Sequence, residues 1–555
     1  MLEVNSLHPA NGDEHRGDAS GLAPNPFVHV SDGAIVAADG TQLLLRGVGL
    51  GNWLLPEGYM WGFGDSAASP RQIEQVVATL LGDAPAAAFW DGFRRRFIGE
   101  ADIAQIAAEG FDHVRLPINW RVLMTQQGEW IEDGFEHIDR LIGWCRTSGI
   151  TVLLDLHGAP GGQTGTNIDD SLGQPDLFLD PHNQDLTVAL WTEIARRYRH
   201  EPAVLGYDLL NEPLPNEWQH RFDRELVALY KRLTAAIREA DPHHLIMYEG
   251  THWATNWDIF TEVWDPNSVL QFHKYWSPTD RPSIATFLEV GSSLGLPVYM
   301  GEGGENTPEW LAAAFQLYED HSIGWNFWPW KKIATHTSPC SVTAPRGWDR
   351  VVAFAAGTGE APTRDEAELI FADLLDALEF GACTYRTDVV NALFRRGPVR
   401  LPAYGFTYRG AGQSYGVATP ATAPVIRADE GVALRRRDRS ETADFTYPPV
   451  EGDGHIVVAE LAPGEWLEFE VELAAGAWVV SVVTEGGAGQ PPDAGAPVIS
   501  AGGADLETRA AEGEPGAYRF FAALVQERTA RVPLRVTAGG HPVTVVRVEI
   551  ARAAQ

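Results

Sequence analysis

Two glutamates stand at the ends of apolar segments, where a strand would pass into a loop. Glu212 lies in the stretch GYDLLNEPLP, and Glu302 lies in LPVYMGEGGEN. A pair of carboxyl groups flanking one bond is what hydrolysis of a glycosidic bond needs, because one must protonate the leaving oxygen and the other must attack or stabilise the anomeric carbon. A separation of roughly 5–5.5 Å predicts retention of configuration, and roughly 6.5–9.5 Å predicts inversion.

Further polar residues follow other apolar segments in the same way. Asn211 directly precedes Glu212 and is expected to hydrogen-bond a sugar 2-hydroxyl. Arg115 and Tyr275 are expected to reach Glu302 and to keep it ionised as a nucleophile. The remaining candidates for sugar contacts are Glu57, His157, His273 and Trp328. Each residue alone could serve packing or solubility, but their recurrence at segment ends predicts one site.

Short β-rich segments alternate with helical ones through the first two thirds of the chain. Apolar residues recur every three to four positions in the helical segments, as at Leu226, Leu229 and Leu233. The β-rich segments are apolar throughout, as expected for strands covered on both faces. Eight such units predict an α/β fold of the (β/α)₈ barrel type, with its chemistry at the carboxyl ends of the strands. Glu212 and Glu302 would then end strands four and seven, across the barrel mouth from each other.

The composition changes near RGAGQSYGVATPATAPV, and the helical periodicity stops there. Beyond this stretch the segments alternate, as in EWLEFEVEL, and short strands recur between glycine-rich turns. We therefore predict a disordered tail over 1–25, a (β/α)₈ catalytic domain over 26–410, a linker over 411–428 and a β-sandwich of the jelly-roll type over 429–555.

Charge and cysteine content exclude several classes of partner. The formal charge of −33 over 555 residues disfavours nucleic acid, anionic membranes and polyanionic substrates, whereas a neutral glycan is compatible with it. The three cysteines show neither a disulfide framework nor metal-ligand spacing, and carboxyl chemistry implies no metal or organic cofactor.

The N-terminal segment is polar and lacks the apolar core of a signal peptide, and no apolar run approaches the ~18 residues of a membrane span. These features predict a soluble cytoplasmic protein without membrane insertion, or a secreted one if the start codon is misassigned.

Residues 27–408 resemble glycoside hydrolase family 5, a group of retaining (β/α)₈ enzymes. The stretches RGVGLGNWLLPEGY, DLHGAPGGQTG and GWNFWPWK are more narrowly similar to its exo-β-1,3-glucanase branch. The sequence departs from that branch at Asn52 and Gly58, where the branch has glycine and proline.

The resemblance assigns roles residue by residue. It implies that Glu212 is the acid/base, that Glu302 is the nucleophile and that Glu57 holds the terminal sugar. The residues it places around the −1 sugar are Arg115, His157, Asn211, His273, Tyr275 and Trp328. The roles of Trp120, Trp253 and Trp257 stay open between sugar platforms and packing at the rim.

The C-terminal region resembles carbohydrate-binding modules of families 6 and 35, over LAPGEWLEFEVELAAGAWVVSVV and LRVTAGGHPVTVVRVEI. In such modules aromatic side chains stack on sugars, and the candidates here are Tyr415, Trp466, Trp478 and Tyr518. A purely structural sandwich packed on the barrel is the alternative.

Taken together, the sequence predicts a retaining β-glycoside hydrolase that acts on β-glucans or β-glucosides, from the non-reducing end. Its expected partners are β-linked oligosaccharides, polysaccharides or glycosides. Endo-β-glucanase or β-mannosidase activity on the same scaffold is an alternative, and so is a carbohydrate-binding protein whose barrel has lost catalysis.

Overall fold

The computed structural model describes residues 26–166, 168–422, 424–449, 455–486, 496–512 and 517–553. The predicted disordered tail, 1–25, lies outside these residues. The described chain begins with an antiparallel hairpin of β1 (His29–Ser31) and β2 (Ala34–Val36). Its two-residue turn, Asp32–Gly33, has positive φ at both positions, which is the geometry that an Asp-Gly pair favours in a tight hairpin.

Eight parallel strands then close into a barrel in the order β10-β3-β4-β5-β6-β7-β8-β9, which confirms the predicted fold class. The barrel strands are β3 (Arg46–Gly49), β4 (His113–Asn119), β5 (Thr151–Gly158), β6 (Val204–Asp208), β7 (Leu245–Glu249), β8 (Ser268–His273), β9 (Val298–Gly304) and β10 (Gly324–Trp328). Nearly all of their residues are buried, because helices cover the outer face and side chains fill the interior.

Helices connect the strands and carry their apolar faces inward. They are α1 (Pro70–Leu81), α2 (Asp83–Arg96), α3 (Glu100–Ala108), α4 (Trp120–Leu123), α5 (Glu132–Ser148), α6 (Asp176–Leu179), α7 (Pro181–Tyr198), α8 (Asp223–Ala240), α9 (Thr251–Ala254, a single irregular turn), α10 (Ala285–Leu294), α11 (Pro308–Asp320), α12 (Trp348–Ala355), α13 (Arg364–Ala377) and α14 (Thr387–Phe394). In α8 the predicted apolar stripe, including Leu226, Leu229 and Leu233, is buried. Helix α13 begins in a capping box, in which Thr363 and Glu366 satisfy each other's backbone N–H groups.

A small sheet follows the last barrel strand and holds the loop that leaves it. Its strands are β11 (Lys331–Ile333), β12 (Cys340–Val342) and β13 (Thr384–Tyr385). The ammonium group of Lys331 is buried 2.6 Å from Asp102 Oδ1 and donates to the Phe97 carbonyl at 2.7 Å. Trp330 Nε1 donates to the same Asp102 oxygen at 2.8 Å, so this loop is anchored beneath the barrel mouth.

The C-terminal region consists of two antiparallel sheets in a sandwich-like arrangement, as predicted. Its strands are β14 (Val399–Pro402), β15 (Tyr415–Gly416), β16 (Ala433–Arg436), β17 (Val457–Leu461), β18 (Trp466–Leu473), β19 (Gly476–Glu485), β20 (Val498–Ala501), β21 (Ala504–Asp505), β22 (Thr508–Glu512), β23 (Ala517–Gln526), β24 (Ala530–Thr537) and β25 (Val543–Arg552). One sheet has the order β16-β17-β25-β19-β23-β22, with β14 also paired to β25, and the other has the order β15-β18-β24-β20-β21. Along β18 the predicted face, Leu467 to Leu473 in steps of two, is buried.

Two strands of these sheets lie before residue 429, where the sandwich was predicted to start. Strand β14 falls within the predicted catalytic domain, and β15 falls within the predicted linker. Pairing with β25 therefore begins before the stretch RGAGQSYGVATPATAPV, and the pairing of β15 with β18 lies within it. The composition of that stretch is typical of a linker, but composition does not predict strand pairing with segments far along the chain.

A buried ion cluster joins the two regions, and we call it the interface cluster. Glu319, in α11, accepts from Arg46 at 2.8 Å and from Arg395 at 2.5 Å. Arg531, in sandwich strand β24, lies 3.3 Å from the same carboxylate. The sandwich is therefore tied to the barrel by charge. Among the described helices, none has the length and apolar character to cross a bilayer.

Candidate active site

A cavity of about 570 Å³ opens at the carboxyl ends of the barrel strands. Seven of the predicted site residues line it: Glu57, His157, Glu212, His273, Tyr275, Glu302 and Trp328. The other two, Arg115 and Asn211, are fully buried beneath that lining. The structure thus brings all nine predicted residues to one end of the barrel, with two of them behind the wall.

The two glutamates face each other across this cavity. Glu212 follows β6 in the left-handed region, at a φ of 44°, and Glu302 lies within β9. One carboxylate oxygen of each, together with a His273 ring nitrogen, form a group whose atoms all lie within 4.8 Å of one another. His273 Nδ1 is 2.7 Å from Glu212 Oε1 and 3.6 Å from Glu302 Oε2. The two side chains are 12% and 5% exposed, so both are held in place yet open to the cavity.

Glu302 is held from two sides, as the sequence predicted. Arg115 Nη1 donates to Glu302 Oε1, and the Tyr275 hydroxyl donates to Glu302 Oε2 at 3.0 Å. Burial raises the pKa of Glu302 above the usual carboxyl range, while His273 and Arg115 oppose that rise.

Arg115 sits among four carboxylates, which together we call the mouth cluster. Its guanidinium lies 3.1 Å from Asp155, 2.8 Å from Asp208 and 3.2 Å from Glu249, besides its contact with Glu302. Burial raises the pKa of Asp155 to about 8, and burial followed by the charge of Glu249 raises the pKa of Asp208 well above its usual value. The charge of Arg115 opposes these shifts, but burial outweighs it at Asp155 and Asp208.

His273 connects this cluster to Glu212. Burial alone would lower the pKa of His273, but Glu249, Glu302 and Glu212 together hold it well above its usual value. The imidazolium donates through Nδ1 to Glu212 and lies 3.2 Å from Glu249 through Nε2. Glu249 also accepts the backbone N–H of Glu212 at 2.7 Å, so one carboxylate positions both the imidazole and the backbone that carries Glu212.

His157 is held in the neutral form by its surroundings. Burial lowers the pKa of His157 to about 4. Its Nδ1–H donates to Asp155 Oδ2 at 2.8 Å, which leaves Nε2 to accept from Asn211 Nδ2 at 3.3 Å. The side-chain oxygen Asn211 Oδ1 accepts from Arg115 at 2.7 Å, so both the oxygen and the nitrogen of that side-chain amide have hydrogen-bond partners. The His157 ring stacks on Trp328, with the ring centres 5.5 Å apart.

The side of the cavity next to β3 carries a third carboxylate. Glu57 is 5% exposed, and its Oε1 has no hydrogen-bond partner among the described residues. Burial, followed by the charge of Glu302, raises the pKa of Glu57 well above its usual value. Beside it, the Tyr59 hydroxyl accepts from Trp328 Nε1 at 2.8 Å, and the Lys332 ammonium lies 5.1 Å from the Tyr59 ring centre.

A metal ion could be held by one group of side chains among the described residues. Glu212, His273 and Glu302 offer ligand atoms at suitable mutual distances. His273 is hydrogen-bonded to Glu212, and the two Glu302 oxygens accept separately from Arg115 and Tyr275, so each of these side chains already has a protein partner.

Several functional residues were not among the predicted ones. Asp155 and Gln271 each precede a predicted histidine by two positions, and a strand places residues two apart on the same face. That spacing was a usable signal for both. The cavity residues that sequence reasoning did not include are Tyr59, Ile168, Trp253, Thr255, Trp276 and Glu305. Of the three tryptophans left open, Trp120 and Trp257 are buried in packing, and Trp253 is half-buried at the cavity.

Comparison with known proteins agrees with this architecture. Residues 83–333 match the model of the cellulase family, glycosyl hydrolase family 5. A β-xylosidase of Phanerodontia chrysosporium is 34% identical over 347 residues, which cover 55% of this chain and 71% of that protein. Endoglucanase C of Acetivibrio thermocellus is 32% identical over 183 residues, covering 32% of this chain and 50% of that protein. A probable glucan 1,3-β-glucosidase A of Aspergillus niger is 28% identical over 247 residues, covering 44% and 58%. The chain therefore belongs to glycoside hydrolase family 5 and is a glycoside hydrolase.

Proposed function

We propose that this enzyme is a retaining β-glycosidase that releases sugar units from the non-reducing ends of β-glucans or from β-glucosides. In this proposal Glu212 is the acid/base and Glu302 is the nucleophile. The observation that carries the proposal is the approach of their carboxylate oxygens to within 4.8 Å. So close an approach supports the retaining arrangement, in which no water molecule has to fit between the two carboxyl groups.

The reaction takes place in two displacements. In the first, a Glu302 oxygen bonds to the anomeric carbon, the bond to the leaving oxygen breaks, and Glu212 donates its proton to that oxygen. His273 Nδ1 lies 2.7 Å from Glu212 Oε1 and orients the acid/base carboxyl group. In the second, Glu212 removes a proton from water as the water oxygen bonds to the anomeric carbon and the bond to Glu302 breaks. Two inversions return the β configuration.

The other predicted residues hold the sugar or hold Glu302. Tyr275 and Arg115 orient the nucleophile, and Asn211 bridges Arg115 to His157. The residues available to the sugar in the −1 position are Glu57, His157, His273, Tyr275 and Trp328. The unpartnered oxygen of Glu57 accepts a sugar hydroxyl, because a buried acceptor without a partner is costly until a ligand supplies a donor.

Glu57 and Tyr59 line the cavity on the side of β3, and a third carboxylate free to hold a terminal sugar there supports action at a chain end. Relatives named β-xylosidase and probable glucan 1,3-β-glucosidase support a β-linked substrate. The relative named endoglucanase C favours a second candidate, endo-β-glucanase activity on the same scaffold. β-Mannosidase activity is a third option that the same carboxylates would serve. Hydrolysis rates on a panel of p-nitrophenyl β-glycosides and short β-glucans distinguish these candidate substrates.

The roles of the two glutamates are tested by substitution and azide rescue. We expect Glu302→Gln to lower kcat by roughly 10⁴-fold or more. Glu212→Ala should retain turnover of an aryl glycoside with a good leaving group, and added azide should yield the β-glycosyl azide. Proton NMR of the first product formed by the wild type should show the β anomer. An α anomer, or equal hydrolysis by wild type and Glu302→Gln, would contradict the proposal.

The mode of action is tested separately on laminari-oligosaccharides. Release of one sugar at a time from the non-reducing end is expected. Internal cleavage products alone would remove the exo claim while leaving the two-glutamate mechanism intact.

A further inference from the structure

The turn after β7 adopts a backbone conformation that its residue types disfavour. His252, Trp253 and Ala254 are consecutive and have φ values of 54°, 59° and 61°. Apart from glycine, the left-handed region is enriched only in asparagine, aspartate and histidine, and a bulky residue such as Trp253 there is an outlier. Such conformations persist only where surrounding contacts determine them, and they cluster at functional sites.

Contacts from two directions hold this turn. The His252 backbone N–H donates to the Leu214 carbonyl at 3.1 Å, and His252 Nδ1 accepts the Asn216 backbone N–H at 3.1 Å. Leu214 and Asn216 belong to the loop that carries Glu212 and themselves have positive φ. At the other end, Ala254 is fully buried, and its carbonyl accepts from Trp257 Nε1 at 3.1 Å. The turn is therefore clamped against the acid/base loop.

The clamp places Trp253 where the leaving group passes. Trp253 is half-buried and lines the same cavity as Glu212. In the ring of eight strands, β7 lies four positions from β3, directly across the barrel. Under the proposed function, on which this step rests, Glu57 beyond β3 holds the terminal sugar. The remainder of the substrate then extends past Glu212 toward the far side, where Trp253 stands.

We propose that Trp253 is the specificity-determining platform for the leaving group, and that it takes a flat ring with an apolar face. An indole offers a large rigid apolar surface with little conformational entropy to lose, which suits stacking against a pyranose or an aromatic aglycone. The left-handed turn sets the orientation of this ring, and His252 acts as a positioning residue for it.

The test compares substrates that do and do not place a ring on Trp253. The sugar is the one that the wild type prefers, and it is presented as a β-disaccharide, as an aryl β-glycoside and as the β-glycosyl fluoride. Fluoride as a leaving group reaches no platform. We expect Trp253→Ala to lower kcat/KM for the disaccharide, the aryl glycoside or both by about 10- to 100-fold, and for the fluoride by less than about threefold. Trp253→Phe should recover most of the loss.

The two ring-bearing substrates also identify the occupant. A loss confined to the disaccharide assigns the platform to a sugar, and a loss confined to the aryl glycoside assigns it to an aromatic aglycone. Leu369→Ala, an exposed apolar residue on α13 away from the cavity, is the matched control and should leave all three substrates unchanged. Melting temperatures of each variant separate a lost contact from a lost fold.

His252 is tested through the partition of the glycosyl-enzyme. With the glycosyl fluoride as donor and a ring-bearing alcohol as acceptor, the ratio of transfer to hydrolysis reports the platform alone. We expect His252→Ala to lower this ratio severalfold, as Trp253→Ala does. His252→Asn should preserve it, because asparagine tolerates the left-handed region and supplies an acceptor for the Asn216 N–H.

Two outcomes would overturn this inference while leaving the proposed function standing. One is an equal loss for the fluoride and the ring-bearing substrates, which would make Trp253 a structural residue. The other is no loss for any substrate. By contrast, a wild type that hydrolyses none of the three would overturn the proposed function, and this inference with it.

Discussion

The mouth cluster and the interface cluster are both built on arginine contacts to buried carboxylates, yet their charge excess is opposite. In the mouth cluster one guanidinium meets four carboxylates, and two buried oxygens, on Asp155 and Asp208, have no hydrogen-bond partner among the described residues. In the interface cluster three guanidinium groups surround the single carboxylate of Glu319.

The pKa values follow this difference. Burial raises the pKa of Asp155 to about 8, whereas at Glu319 the effect of burial is outweighed by Arg395, Arg46 and Arg531, which hold its pKa at about 2. An excess of acids leaves groups that can accept or release a proton near neutrality, which catalysis requires. An excess of bases locks one carboxylate in its ionised form, which serves only to join two regions. A buried ion cluster therefore indicates a catalytic site only when its acidic groups outnumber its cations.

Removal of Arg115 should have the largest effect. We expect Arg115→Leu to destabilise the fold by roughly 3–5 kcal/mol, because the buried carboxylates lose their only guanidinium. Arg115→Lys keeps a charge but loses the planar fork, so it should fold while kcat/KM falls by roughly 10²-fold or more. Urea unfolding and steady-state kinetics measure the two effects, and wild-type kinetics in Arg115→Lys would contradict the comparison.

Glu319→Gln should act on stability alone. Because its pKa is lowered from 4.5 to about 2, Glu319 contributes stability that is present above about pH 4.5 and lost as the pH falls toward 2. We expect the free energy of unfolding of the variant at neutral pH to fall by roughly 3 kcal/mol. The variant should also lose the acid dependence that the wild type shows over that window. Unchanged kcat per folded molecule is expected, and a fall in kcat would mean that the interface communicates with the mouth.

The acid limb of the pH profile should report Glu302. The nucleophile acts as the carboxylate, and burial raises its pKa, so kcat/KM should fall with decreasing pH at a higher pH than an ordinary carboxyl would give. His273 opposes that rise, so His273→Gln should move the acid limb upward by roughly one pH unit. A shift in the other direction would show that His273 does not act on Glu302 through charge.

The smallest effect is expected in the sandwich. Trp466 is half-buried, and the guanidinium of Arg535 lies 3.7 Å from its ring centre, so its face is already occupied. Tyr415 and Trp478 are buried, and in the described part of the sandwich no aromatic side chain is fully exposed. We expect Trp466→Ala to cost about 1 kcal/mol of stability and to leave retention on insoluble β-glucan unchanged. Lost retention would instead make the sandwich a glycan-binding module.

The sequence was sufficient for the barrel and for the residues at its mouth. Strand ends are marked by a change from apolar to polar residues, and barrel closure brings all such ends together, so Glu212 and Glu302 could be paired without coordinates. Their contacts with Arg115, His273 and Tyr275 follow from the same closure.

Other features depend on information that no local pattern contains. The charge balance of the mouth cluster depends on which way Asp208 and Glu249 face within buried strands. The burial that raises the pKa of Glu302 depends on how the whole barrel mouth packs. The clamp on Trp253 depends on three left-handed residues that have no glycine to signal them. The pairing of β14 with β25 joins segments more than a hundred residues apart, which periodicity does not detect.

The pairing of β25 has a consequence for how the molecule is made. This strand lies between β17 and β19 in its sheet and also pairs with β14, yet it is the last strand of the described chain to leave the ribosome. The barrel is complete in sequence long before, so it can fold while synthesis continues. The sandwich sheet cannot form completely until β25 has been synthesised. Until then, the edges of β14, β17 and β19 that pair with β25 remain unpaired.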